Sequence, residues 1–282
     1  MKNQIKCIVY VLTFYFTLSN FTHCSAEKYV IGNPGSGFFS SFICTLNHLI
    51  WCEENNKIPV VYWGENSQFY SSKGFNGAMN VWEYYFEPVS DLSYCCGDHI
   101  DTSCWPQTNY TIYVWMLDTV SRVRINQLIN RYVKLKPAIK NKIDDFYKSH
   151  MEGKKTIGIH LRGTDKCWEQ PSVALETLIN KAIEIADATT QFYIASEDER
   201  LFERAKEMLK GRVIYYDVIR SSNDGWMWQG QHPQRAQLGE DVLIEAQLLS
   251  KCHALVHTYS NVSTAALFFN PYMENFLFYN LR

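Results

Sequence analysis

The sequence lacks a strong net charge, since its formal charge is −2 and only 20% of its 282 residues are charged. A basic surface for nucleic acid is therefore not expected. The sequence also contains no internal repeat and no low-complexity tract, and no second apolar segment suited to a membrane follows the N-terminal one. The length suits one large domain or two modest ones with their own cores.

Several catalytic motifs are missing as well. Without a G-x-x-x-x-G-K-[ST] loop, phosphoryl transfer is disfavoured, and without a G-x-S-x-G elbow, hydrolase chemistry is disfavoured. The glycines of the loop 32–37 do not have the G-x-G-x-x-G spacing of a dinucleotide site. The spacing of Cys95, Cys96 and Cys104 is a poor match to zinc ligands. We therefore expect no metal.

The N-terminus is typical of a targeting segment. A short basic stretch precedes an apolar run, and small residues follow it at 24–26. We predict a signal peptide, or a short signal anchor, over residues 1–26. This segment would direct the protein to the lumen of the secretory pathway or to secretion, or to export if the host is bacterial.

Asn109 and Asn261 begin glycosylation acceptor triplets. Seven of the nine cysteines follow residue 26; this odd number leaves one unpaired within the chain, and one local disulfide is expected among residues 95–104.

Strands alternate with helices along most of the remaining chain. A strand, glycine loop, helix and second strand occupy residues 28–63, a turn-rich aromatic stretch covers 64–118, and Pro137 starts or kinks a helix. Beyond residue 153 the pattern predicts strands at 156–161, 191–195, 212–217 and 253–257 and helices at 173–187, 198–209, 240–251 and 262–269. This order predicts parallel sheets in two α/β domains, 27–150 and 151–282, that face a cleft.

Polar side chains appear where three predicted strands end, at 160–166, 196–198 and 257–261. His160 and Arg162 are two residues apart and project from the same face. The planar guanidinium of Arg162 suits phosphate, as do the hydroxyl and free N–H groups near Ser260 at a helix start. The alternatives are a surface ion pair between Arg162 and Asp165 and simple helix capping by Ser260 or Asn261.

Two acidic positions need separate interpretations. Glu245 lies within an apolar helical run, so its carboxylate should be paired or should bind a ligand such as guanine, which offers two adjacent donors; the alternative is a buried acid held by a lysine or by backbone. Glu240 and Asp241 are expected in the first turn of that helix. Ser196 and Glu199 have capping-box spacing, which accounts for the nearby acids more simply than a metal does.

Three sequence blocks then resemble a known family. The peptide His160–Lys166 resembles the H-x-R-R-T-D-K peptide of α1,6-fucosyltransferases and the rhizobial nodulation fucosyltransferases, and more distantly the protein O-fucosyltransferases. The glycine loop with the helix that follows it, and the segments 243–250 and 258–260, resemble their first and last motifs in the same order. The resemblance covers most of the chain after residue 26 as scattered blocks.

The resemblance implies a GT-B-like fold of two Rossmann-like domains, with the nucleotide sugar bound by residues 151–282 and the acceptor on the side of 27–150. It also implies an inverting, metal-independent transferase that moves fucose from GDP-fucose to a glycan or glycoprotein and uses no cofactor. The residues that it implies for donor binding are Gly35, Gly37, His160, Arg162, Asp198, Glu245, Ser260 and Asn261. Arg162 is the expected catalytic cation and Lys166 an expected acceptor contact.

Two departures from the family pattern keep alternatives open. The second arginine of the peptide is Gly163 here, and the acidic residue downstream falls at Gln170, with Glu169 one position earlier. Glu169 is therefore the expected general base. The alternatives are a transferase for another GDP-sugar and a secreted carbohydrate-binding or nucleotide-sugar-binding protein without catalysis.

Overall fold

The computed structural model describes residues 27–163, 173–222 and 232–279. In these ranges the chain forms two parallel sheets with helices packed against them. The first half contains β1 (Lys28–Ile31), α1 (Phe38–Glu54), β2 (Ile58–Val61), α2 (Trp82–Tyr85), β3 (Ile100–Asp101), α3 (Thr119–Tyr132) and α4 (Pro137–His150). The second half contains β4 (Thr156–Leu161), α5 (Leu175–Glu184), β5 (Gln191–Ser196), α6 (Glu199–Met208), β6 (Val213–Ile214), α7 (Arg235–Ser250), β7 (Ala254–Thr258), α8 (Asn261–Phe269) and β8 (Glu274–Phe278).

The first sheet has three parallel strands in the order β2-β1-β3. Gly32 follows the central strand, where its N–H donates to the Asp101 carbonyl at 2.7 Å. A Cβ at this position would lie 2.6 Å from a methyl carbon of Ile100, so only glycine lets the chain leave the sheet here.

The second sheet has five parallel strands in the order β6-β5-β4-β7-β8. Its central strand β4 is buried along its whole length. Ile157, Ile159 and Leu161 belong to an apolar cluster with α5 and α6. A Cβ on Gly158 would instead meet Leu249 and Cys252, at the end of α7. Helices therefore cover both faces, as parallel strands require.

One apolar core joins the two halves. It includes residues of α1, α2, α3 and α4 together with residues of α7, β7 and α8. The ring of Phe269 lies 6.1 Å from that of Phe39 and 6.0 Å from that of Phe42. The Tyr85 hydroxyl donates to the Ala236 carbonyl at 2.9 Å. Parallel sheets are thus confirmed, whereas the predicted boundary near residue 150 and the cleft between domains stay predictions.

Four details differ from the sequence-based expectations. Strand β8 was not predicted, because its alternation is short and it lies at the edge of the sheet. Helix α7 starts at Arg235, so Glu240 and Asp241 lie beyond its first turn. The expected box of Ser196 and Glu199 is wrong, because Ser196 ends β5 and Asp198 is the N-cap of α6. All six described cysteines are free.

Pro137 begins α4, as its fixed φ predicts. Within the described ranges, no helix has the length and apolar character needed to cross a membrane. Residues 1–26, on which the predicted signal falls, lie outside those ranges.

Candidate functional site at the carboxyl edge of the second sheet

Arg162 lies directly after the central strand, at the edge where the carboxyl ends of the parallel strands meet. Its Nη1 is 3.3 Å from Oε1 of Glu197, and both side chains are largely buried. The N–H of Gly163 donates to the same oxygen at 3.1 Å. Glu197 therefore fixes the guanidinium and the turn behind it. Sequence reasoning gave Glu197 no role, although its position directly after a strand was a usable signal.

His160 is buried within the central strand, one residue before its end. In the sheet register it lies between Ala195 of β5 and His257 of β7. Alternation places it on the same side of the strand as Gly158, which faces α7. The expected donor residues His160 and Arg162 thus project toward the face that α7 covers.

Glu245 of α7 is buried, and one of its carboxylate oxygens has no hydrogen-bond partner among the described residues. Burial raises its pKa to about 8, while the nearby guanidinium of Arg220 acts in the opposite direction. The carboxylate of Glu197 raises the pKa further, so Glu197 neighbours both Glu245 and Arg162. A buried polar atom without a partner is costly, which is the property expected of a ligand-binding group.

Arg220 is a second cation of this edge that the sequence did not reveal. Its guanidinium lies 3.9 Å from the ring centroid of Phe202, and it donates to the Tyr216 carbonyl at 3.0 Å. The adjacent Ser221 donates its N–H to the Glu197 carbonyl at 2.8 Å. The strand predicted at 212–217 forms only over Val213–Ile214, and the irregular segment that follows it brings Arg220 near Glu245, which the sequence did not predict.

Asp198 caps α6, and this is the cap that replaces the expected capping box. Its Oδ1 accepts hydrogen bonds from the N–H groups of Arg200, at 2.9 Å, and Leu201, at 3.3 Å. The Arg200 guanidinium also contacts Oδ2 at 3.1 Å. The carboxylate thus has structural partners, and its expected contact with the nucleotide stays a prediction.

Asp198 also explains why position 163 is glycine. A Cβ on Gly163 would lie 2.5 Å from Asp198 Oδ2 and 2.7 Å from its Cβ. Real Cβ atoms do not approach other atoms so closely, so the arginine that the resembled peptide carries here cannot fit beside this cap.

Ser260 and Asn261 lie at the end of β7, the strand next to β4. Ser260 is the N-cap of α8, and its hydroxyl accepts from the Val262 N–H at 3.2 Å. Asn261 is the first residue of the helix. The structure therefore brings this helix start to the same sheet edge as Arg162, where helix N–H groups favour an anion.

Gly35 and Gly37 belong to the first sheet, in the turn between β1 and α1. Gly35 has φ of 79°, its N–H donates to Asn33 Oδ1 at 2.7 Å, and its carbonyl accepts from Gln68 at 2.9 Å. Gly37 is the N-cap of α1, and a Cβ there would meet nothing within 4 Å. The turn has open space at Gly37 and contains no charged residue.

The expected acceptor contact Lys166 and the expected base Glu169 lie outside the described residues.

No protein-family model matches this sequence. Solved structures do match its fold. The fucosyltransferase NodZ from Bradyrhizobium is 15% identical, covers 89% of this chain and 93% of its own, and gives a TM-score of 0.53. A NodZ α1,6-fucosyltransferase crystal soaked with GDP-fucose gives a TM-score of 0.56 at 16% identity, with 86% of this chain and 92% of that chain covered.

Two further structures match over most of the chain. A mutant of Arabidopsis thaliana FUT1 in complex with GDP is 11% identical, with a TM-score of 0.53 and coverage of 91% of this chain and 71% of that chain. POFUT1 in complex with GDP-fucose is 10% identical, with a TM-score of 0.53 and coverage of 92% and 99%. The resemblance that the sequence blocks indicated is confirmed at the level of the fold.

Proposed function

We propose that this protein is a glycosyltransferase that moves fucose from GDP-fucose to a hydroxyl group of a glycan or glycoprotein, with inversion and without a metal ion. The observation that carries the proposal is the edge of the second sheet, where Arg162, Glu197 and Glu245 meet beside the start of α8. The fold to which this edge belongs is similar to that of a fucosyltransferase soaked with GDP-fucose and of FUT1 in complex with GDP. Ligands of open α/β sheets bind at such an edge.

Each group has a role that its chemistry suits. The guanidinium of Arg162 contacts the diphosphate, together with the hydroxyl of Ser260 and the first N–H groups of α8. Glu245 in its ionised form accepts from the ring N–H and the amino group of guanine. His160 borders the guanosine. Asp198 and the glycine turn stay candidate donor contacts.

The reaction separates charge in a way that this edge can stabilise. An acceptor hydroxyl attacks the anomeric carbon while the bond to the GDP oxygen breaks, and negative charge grows on the leaving phosphate. A fixed guanidinium favours that transition state over the ground state. The proton of the hydroxyl passes to a general base, which we assign to Glu169.

A transferase for another GDP-sugar is the second candidate, and the observation that favours it is Gly163. One guanidinium of the resembled peptide is absent, and the cap at Asp198 prevents its return. Recognition of the sugar then depends on different residues from those of enzymes that carry both arginines. A nucleotide-sugar-binding protein without catalysis is the third candidate on the same observation.

The test is a transfer assay with purified protein, GDP-fucose and a panel of glycan and peptide acceptors, with and without EDTA. We expect fucose transfer with an inverted anomeric centre, undiminished by EDTA. Calorimetry with GDP-fucose and GDP-mannose then compares the donors. Preferential binding and transfer with GDP-mannose would select the second candidate. GDP binding without transfer or donor hydrolysis would select the third, and no binding of GDP would overturn the proposal.

A further inference from the structure

Three aromatic side chains form an exposed stack in the segment before α3. The ring of Tyr113 lies 4.7 Å from that of Trp115 with an interplanar angle of 7°, and 5.3 Å from that of Trp105 at 31°. Tyr113 thus contacts two indoles, of which Trp105 is 55% exposed and Trp115 61%. Single exposed apolar residues are ordinary, but a contiguous aromatic surface is typical of a binding site.

The backbone that carries the stack is held from two sides. The buried amide of Asn47 on α1 accepts from the Ile112 N–H at 2.7 Å and donates to the Ile112 carbonyl at 3.2 Å. The Thr264 hydroxyl on α8 donates to the Val114 carbonyl at 3.0 Å. These bonds fix the residues on both sides of Tyr113, so a ligand would not have to order the segment itself.

The same contact places the stack beside the proposed donor site. Thr264 lies four residues, and therefore about 6 Å along the helix, from the cap Ser260. Val114, whose carbonyl accepts the hydrogen bond from Thr264, lies between Tyr113 and Trp115 in the sequence. The backbone that carries the stack is therefore attached to α8 one turn after the helix start at which the proposed function places the diphosphate.

The chemistry of the segment selects a neutral polyol as the partner. Residues 102–115 include no lysine, arginine, aspartate or glutamate. The other exposed side chains of this stretch are hydroxyls and amides, those of Thr102, Ser103, Gln107 and Asn109. A pyranose ring with equatorial substituents presents C–H groups on its faces and hydroxyls at its rim. Polarised C–H groups suit the negative face of an aromatic ring, and the rim hydroxyls suit hydroxyl and amide side chains.

We propose that the aromatic stack, Trp105, Tyr113 and Trp115, is a glycan-binding subsite on which a pyranose ring of the acceptor lies against an indole face. The role of the stack as an acceptor subsite rests on the proposed function. Binding of a glycan to the stack does not depend on whether the protein transfers a sugar. A protein partner would instead need a total contact area of about 800 Å² on this chain with an apolar centre, and the polar surroundings of the stack are unlike the core of such an interface.

The test measures the binding of two β1,4-linked tetrasaccharides, of glucose and of N-acetylglucosamine, to the full chain by calorimetry. We expect the wild type to bind at least one of them and Trp115→Ala to bind it about tenfold more weakly, since an aromatic contact and its buried area are lost. Trp115→Phe keeps a ring and should retain most of the affinity. Tyr272→Ala, which truncates a 76% exposed ring outside the stack, is the matched control and should bind normally.

Parallel titrations with GDP separate this inference from the proposed function. Normal GDP affinity and an unchanged melting temperature in Trp115→Ala would show that the variant is folded. Glycan binding that depends on the stack, in a protein that does not bind GDP, would support the subsite and overturn the proposed function. Absence of tetrasaccharide binding by the wild type at millimolar concentration would overturn the subsite. Equal binding by the wild type and the double variant Trp105→Ala/Trp115→Ala, or a change only in self-association on sedimentation, would also overturn it.

Discussion

Two glycine-containing turns leave the carboxyl edges of the two sheets, and their surroundings differ. The turn with Gly35 and Gly37 after β1 contains no charged residue. The N–H and the carbonyl of Gly35 form hydrogen bonds with the side-chain amides of Asn33 and Gln68. The turn with Gly163 after β4 is surrounded by charge, with Arg162 and Glu197 in contact and buried. Charged groups in a low dielectric interact strongly with a charged ligand. Under the proposed function, this difference favours the second turn for the anionic nucleotide and the first turn for neutral parts of the substrates.

The two turns also differ in the reason for their glycines. At Gly163 a side chain is excluded by contact with Asp198, whereas at Gly37 there is open space. A glycine with open space beside it leaves room for an approaching ligand. A glycine whose added Cβ would overlap a neighbouring residue is instead required by local packing. Substitutions at the two turns should therefore separate effects on activity from effects on stability.

The largest effect is expected at the charged turn. Arg162→Ala should lower the rate of transfer by about two to three orders of magnitude, as loss of a transition-state donor does. Arg162→Lys should recover only part of this, because an ammonium cannot make the paired contact. Steady-state kinetics with GDP-fucose measure both. Arg204→Ala, which removes an exposed arginine of α6, is the control and should be fully active. Full activity of Arg162→Ala would remove this residue from the mechanism.

The next effect concerns protonation of Glu245. With a pKa of about 8 in the free protein, Glu245 is protonated at pH 6 and ionised above pH 8. If guanine selects the ionised form, GDP affinity should rise by up to tenfold per pH unit from 6 to 8 and level off above, with release of about one proton at pH 7. Calorimetry in buffers of different ionisation enthalpy measures both. In Glu245→Gln the pH dependence should vanish and the affinity should be weak at all pH values.

The same group affects stability, with the sign fixed by its raised pKa. Between about 4.5 and 8 the unfolded chain ionises Glu245 while the folded protein keeps it protonated, so the free energy of unfolding falls by about 1.4 kcal/mol per pH unit. Below this window both states are protonated and the effect is absent. Urea unfolding at pH 5 and pH 8 should show a smaller decrease for Glu245→Gln than for the wild type. An equal decrease in both would contradict the assignment.

A smaller effect is expected from packing at Gly163. Gly163→Ala should destabilise the fold by about 1–3 kcal/mol, because the added carbon overlaps Asp198. Asp198→Gly alone should cost a few tenths of a kcal/mol as a cap. Loss of its contact to the half-exposed Arg200 should add at most about 1 kcal/mol. The double variant should be more stable than the sum of the two changes predicts. Additive costs in a thermal or urea unfolding series would show that the two positions do not clash.

The smallest effect is expected at the neutral turn. Gly37→Ala should leave stability within about 1 kcal/mol of the wild type, since the methyl group has space and only the cap preference changes. If the turn approaches the donor, the KM for GDP-fucose should rise by less than about tenfold with kcat nearly unchanged. An unchanged KM would remove Gly37 from the donor contacts.

The regular parts of this fold were predictable from the sequence, and the reasons are local. The central strand was predicted with its observed bounds, because its apolar run is short and ends in polar residues. The cap of α6 lies two residues after the predicted one, since Ser196 and Asp198 are both suitable cap residues and Ser196 is held in β5 by its pairing with β4. In α7 the strong apolar run began after the true start, so the helix was predicted too short.

The site was predictable only where a motif carried it. Arg162 follows a strand, His160 lies next to the last residue of that strand and Ser260 caps a helix, and such positions can be identified from the sequence alone. The contact between Arg162 and Glu197 joins the ends of two strands that are distant in the sequence, and Glu197 also accepts from Gly163, 34 residues before it. Arg220 approaches Glu245 only through the fold of an irregular segment. The stacked rings of Tyr113 and Trp115 likewise depend on how Asn47 and Thr264 hold the backbone.

The apolar core that joins both sheets has a mechanical consequence. Rotating one half away from the other would expose Phe39, Phe42 and Phe269 to water and break the bond from Tyr85 to Ala236. Exposing three such rings costs several kcal/mol, at about 1.5–3 kcal/mol for each. Wide hinge bending is therefore a rare event in this molecule. We expect calorimetric melting as a single transition and substrate exchange that proceeds without separation of the halves.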